Sequence, residues 1–92
     1  MDKETKHTIV EILDDKISHT NYEIERLQRS VKYYENAIIE DAVEININDK
    51  YSEDDLVNIR YIIKRDTKEE KKLSINIEKY KMALNDILKT MN

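Results

Sequence analysis

The chain has 92 residues, of which 39% are charged, a net charge of −4, and no Gly, Pro, Cys, Trp or Phe. That length supports one small domain at most, and the absence of Gly and Pro, the main punctuation of turns, argues against a β-rich or loop-rich fold. Zero cysteines exclude disulfides, thiolate metal sites and a cysteine nucleophile, and the negative charge gives no general attraction to nucleic acid.

Residues 1–7 are polar and read as a frayed start. Thr8, with Glu11 three residues on, forms a capping-box pattern. From there Val10, Ile17, Ile24, Val31 and Ile38 recur every seventh residue, with Leu13, Thr20, Leu27 and Tyr34 between them. Steps alternating three and four without a slip predict one long helix with a continuous apolar seam, over about residues 8–40. Ser18-His19-Thr20-Asn21 has poor helix propensity, and Thr20 with Glu23 offers a second capping box. The heptad passes through it unshifted, which favours a continuous helix over a break.

Residues 41–52 change character. Val43, Ile45 and Ile47 alternate with Glu44 and Asn46 at a period of two, and Asn46, Asn48 and Asp49 are turn formers. This is the expected connection; the alternative is a short strand over 41–51 that pairs with its copy in a dimer. Ser52 then reads as an N-cap, and Glu53, Asp54 and Asp55 favour the positive end of a helix dipole. A second helix is predicted over about 53–90. Its heptad runs Leu56, Ile63, Glu70, Ile77, Leu84, Met91, with Ile59, Asp66, Leu73, Tyr80 and Ile87 between.

Two helices of similar length joined by about a dozen residues predict an all-α fold: two long antiparallel helices, a helical hairpin or coiled coil. Residues 1–92 would form a single domain, with Ile38 near Leu56 or Ile59 and Val10 near Leu84 or Ile87. Residues 1–46 carry −5 and residues 47–92 carry +1, so the halves attract weakly. Parallel pairing between chains suits the same seam, since Val and Ile alternate with Leu along it. Apolar residues also lie off the seam: Ile9, Ile12 and Leu88 at one end, Ile39, Val57, Tyr61 and Ile62 at the other. A stripe wider than a two-stranded seam calls for further helices, most simply from a second copy, giving a homodimeric four-helix bundle.

Three polar residues, Thr20, Asp66 and Glu70, interrupt the seam. The simpler expectation for the two carboxylates is that the seam opens and both are solvated; the other is a polar layer that pins the register, partnered by Arg26, Arg29 or Lys72. Lys64, Arg65, Lys68, Lys71 and Lys72 form a basic run interleaved with Asp66, Glu69 and Glu70. It reads first as an exposed face with intrahelical ion pairs and second as a phosphate contact. Glu4 and His7 match the Glu-x-x-His spacing of di-iron bundles, but the match is short and crowded by Lys3 and Lys6, so no metal or cofactor is expected. His19 falls at an outward position. Tyr34 and Tyr80 are seam residues; Tyr22, Tyr33, Tyr51 and Tyr61 are not.

There is no ordered Ser/His/Asp set, no Gly-rich phosphate loop and no carboxylate pair in an apolar setting, so catalysis is not expected. The function expected instead is a small non-enzymatic protein-interaction module: an adaptor, scaffold or inhibitor acting as a helical-bundle dimer. Its partner would be held by Tyr33, Tyr61, Ile39, Val57, Ile62, Val43 and Ile45. The alternative is a regulator touching nucleic acid through the Lys64–Lys72 run. No apolar run reaches membrane-span length and Met1-Asp2-Lys3-Glu4 lacks the apolar stretch of a signal peptide, so the expected location is cytoplasmic. Ile outnumbers Leu by 14 to 6. That bias, with frequent Asn and Lys, fits AT-rich codons, as in a low-GC bacterium, its phage or another virus.

Overall fold

The computed structural model describes residues 1–44 and 52–91, with the side chains of residues 40–44 excluded. The chain is an all-α helical hairpin of two long helices, α1 (Lys3–Glu44) and α2 (Glu53–Lys89), packed against each other. Val43 lies on α1, so residues 41–44 of the alternative strand over 41–51 are helical instead, and Ile45 and the rest of that stretch lie outside the described residues.

Helix α1 starts five residues before the Thr8 expected to cap it. The physical reason is Asp2, whose Oδ1 accepts the Thr5 amide at 2.7 Å while its carbonyl accepts the Lys6 amide at 3.1 Å. A carboxylate at this place satisfies an amide the helix leaves unpaired. The two Thr5 hydrogen bonds, backbone first, hold the Asp2 carboxyl below the usual aspartate range. Thr8 sits inside the helix, its hydroxyl donating to the Glu4 carbonyl at 3.1 Å. Residues 18–21 do not break α1. Their weak propensity is outweighed by the seam they carry, where Thr20 is buried.

Helix α2 starts where Ser52 and Asp55 cap each other. Ser52 Oγ accepts the Asp55 amide at 3.2 Å, and Asp55 Oδ2 accepts the Ser52 amide at 3.1 Å. This is the reciprocal capping box, with Asp in the place more often held by Glu. At the other end the Thr90 hydroxyl and amide both donate to the Ile87 carbonyl, at 2.7 and 3.0 Å.

The helices pair in two compact units. Unit 1 joins Met1–Ile24 to Lys71–Asn92. Its seam residues Val10, Leu13, Ile17 and Ile24 are half-buried, as are Leu73, Tyr80, Leu84 and Ile87, and Thr20 and Ile77 are buried. Lys6 Nζ donates to the Thr90 carbonyl at 3.0 Å, and the Lys16 ammonium stands 5.8 Å from the centre of the Tyr80 ring. Unit 2 comprises residues 25–70. There Leu27, Ala37, Ile59 and Asp66 are buried, and Val31, Tyr34, Ile38, Leu56 and Ile63 are half-buried. Every described heptad position from Val10 onward is thus shielded in part or fully, the outcome that a 3.5-residue repeat dictates.

Candidate interaction surface

Asp66 is only 6% exposed, which overturns the expectation that it is solvated. Ser30 Oγ lies 3.4 Å from its Oδ2, and Arg65 Nε donates to its Oδ1 at 3.2 Å. Arg65 reaches back from the next residue of the same helix, while Ser30 approaches from the other. The expected partners were Arg26, Arg29 and Lys72; Ser30 and Arg65 were missed. Ser30 could have been found, because it is a small residue beside the seam that leaves room for a carboxylate. Glu70 is half-buried rather than solvated, and its Oε1 accepts from Gln28 Nε2 at 2.9 Å.

An open cleft of about 420 Å³ lies beside Asp66, lined by Arg26, Leu27, Ser30 and Tyr34 of α1 and Ile62, Arg65, Asp66 and Glu69 of α2. Counting heptads from Val10 and Leu56 as first positions, Arg26 and Arg65 are third positions, and Ser30, Ile62 and Glu69 are seventh positions. The third and seventh positions of both helices therefore lie on one side of unit 2. The second and fifth lie on the other, because the flanks of a seam diverge.

This geometry sorts the expected partner-binding residues. Tyr33, a third position, shares the cleft side with Ile62. Its ring meets Tyr34 edge to face, with centroids 5.3 Å apart and planes at 80°. Ile39 and Val57 are second positions and lie on the opposite side. Tyr61 is a sixth position on the outer surface of α2. Tyr33, Ile39, Val57 and Tyr61 are all exposed, Ile62 is half-buried, and Val43 and Ile45 lie outside the described side chains. Ala37, a small seventh-position residue buried on the Tyr33 side, was also missed.

Among the described residues, Lys64, Lys68, Lys71 and Lys72 form no ion pair, and Arg65 alone of the basic run does, with Asp66. The intrahelical pairs expected there are absent from these lysines. Tyr61, Lys64, Arg65 and Lys68 surround a second open cleft of about 360 Å³. Glu4, His7 and His19 are all exposed, and among the described residues no third acidic or His side chain joins Glu4 and His7. No described helix is long and apolar enough to cross a membrane. No protein-family model matches the chain, and neither curated proteins nor solved structures include a significant match.

Proposed function

We propose that the chain is a small non-enzymatic protein-interaction module that works as a homodimeric helical bundle in the cytoplasm of its own or a host cell. The observation that carries this reading is surplus surface. The chain exposes 7310 Å², about 1,600 Å² more than the roughly 5,700 Å² that scaling gives for a globular monomer of its mass. The exposed large apolar side chains include Ile12, Tyr22, Ile75, Met82 and Leu88 in unit 1 and Tyr33, Ile39, Val57 and Tyr61 in unit 2. Apolar surface on this scale in a small chain supports association. The test is solution mass by light scattering across a range of concentrations. A species of about twice 11.1 kDa is expected, and a monomer up to millimolar concentration overturns the homodimeric reading.

A second reading has its own observation. Lys64 and Lys68, without ion pairs among the described residues, line an open cleft with Tyr61 and Arg65, a cationic strip that fits phosphates. It takes second place because the chain as a whole is acidic and Glu69 and Glu70 interrupt the strip. A salt-dependent mobility shift of DNA or RNA is the expected sign of nucleic-acid contact; no shift at low salt removes this reading.

A further inference from the structure

We infer that the second copy docks on the cleft side of unit 2, over Tyr33, Ala37 and Ile62, with Arg65 of each copy paired to Glu69 of the other. This rests on the homodimeric reading proposed above and names the surface that would carry it.

A two-fold dimer buries the same patch on both copies, so the patch has to be complementary to itself. The outer surface of α2 fails that requirement. Around Tyr61, Lys64 and Lys68 stand without carboxylate partners among the described residues, and two copies meeting there would set like charges together. The cleft side satisfies it. It carries exposed Arg26 and Arg65 and exposed Glu69, with Asp66 buried beside them, so charges of both signs share the surface. Tyr33 supplies the exposed aromatic and Ala37 and Ile62 the apolar floor. Aromatic and arginine side chains are the residue types enriched where proteins meet.

The pair itself follows from what each side chain leaves unused. Arg65 spends its Nε on Asp66, which leaves the terminal nitrogens of its five-donor fork for a second carboxylate. Glu69 lies one turn further along the same helix, on the same side, and makes no hydrogen bond or ion pair among the described residues. Arg65 turns to Asp66 and not to Glu69, although a spacing of four residues is within reach on a helix. About a turn of the helix separates donor from acceptor, so two copies related by a two-fold axis midway between them bring each Arg65 to the other's Glu69.

The chain has no cysteine or tryptophan background, which makes dissociation easy to follow by a single introduced dye or by sedimentation. Tyr33 is 67% exposed, Ile39 60% and Tyr61 65%, so a charge at any of them leaves the hairpin seam intact. Helicity by circular dichroism checks that. Tyr33→Glu is expected to weaken the dimer at least ten-fold, while Ile39→Glu and Tyr61→Glu stay within about two-fold of the unaltered chain. Arg65→Glu and Glu69→Arg are each expected to dimerise poorly alone. Mixed in equal amounts they should form a heterodimer at least ten-fold tighter than either homodimer, because both cross-pairs are then opposite in charge. A dimer unaffected by Tyr33→Glu, or a mixture no tighter than its components, overturns this surface while leaving the dimer standing. An unaltered chain that stays monomeric overturns the dimer itself, and this inference with it.

Discussion

Ser30 faces Asp66 across the seam of unit 2, its hydroxyl 3.4 Å from a carboxylate oxygen that is nearly closed to solvent. The contact is long for a hydroxyl-to-carboxylate bond, which ordinarily closes to about 2.5–2.7 Å. Among the described residues, Asp66 therefore sits in the seam with Arg65 at 3.2 Å and Ser30 at 3.4 Å, both long for bonds to a carboxylate.

A weakly compensated buried carboxylate lowers stability relative to an apolar residue. Arg65 is mostly solvated, so removing Asp66 strands no buried charge. Asp66→Leu is expected to stabilise the chain by about 1 kcal/mol, raising the thermal midpoint by roughly 4–8 °C. Thermal unfolding by circular dichroism, at a fixed protein concentration, checks it. A lowered midpoint would show that the carboxylate contributes net stability.

Burial separates core from surface among residues that look alike in the sequence. Ile77 is 5% exposed and Ile75, two residues before it, is 59% exposed. Ile77→Ala is expected to cost about 2–4 kcal/mol, and Ile75→Ala less than about 0.5 kcal/mol in the monomer. Denaturant midpoints of the two variants measure the difference directly, and equal losses would contradict the placement of the seam.

The start of α2 depends on the reciprocal bonds of Ser52 and Asp55. Ser52→Ala should cost about 1 kcal/mol, whereas Ser52→Asp, which keeps an acceptor, should cost little. Amide exchange at Asp55 is the local readout: it should quicken in the alanine variant and stay slow in the aspartate one.

At the start of α1 the Asp2 carboxylate accepts the Thr5 amide, and these bonds lower its pKa. A carboxyl whose folded value lies below its unfolded value adds stability above the unfolded value, and that contribution is lost as pH falls through the folded one. Protection of the Thr5 amide is therefore expected to hold at neutral pH and to fade only below the usual aspartate range. In Asp2→Asn that pH dependence should vanish while the cap remains. An Asp2 chemical-shift titration with a midpoint at or above the ordinary aspartate value would count against the bond.

The seam was legible because it depends on spacing alone. A residue repeated every three and four positions lands on one side of a helix whatever its neighbours are, and so Val10 through Ile38 and Leu56 through Met91 announce both helices before any packing is known. The Ser52 cap of α2 was legible for a similar reason, being local, whereas the bond Asp55 returns to the Ser52 amide was not, since Asp55 read only as a charge at the helix dipole. Asp2 was not, since a polar segment at the start of a chain reads as frayed until its carboxylate is seen on the Thr5 amide.

What the sequence by itself determined, then, is the helical hairpin, its seam and the surplus of apolar residues beyond it. Only the tertiary structure decided what happens to Asp66 and how the surplus is divided. A carboxylate in a seam is either solvated or paired, and the choice lies with residues distant in sequence, here Ser30 on the other helix. Likewise Tyr33 and Ile62 share a side while Ile39 and Val57 lie opposite, because facing flanks are set by how two helices meet. That relation belongs to no single stretch of chain, and periodicity along one helix does not contain it.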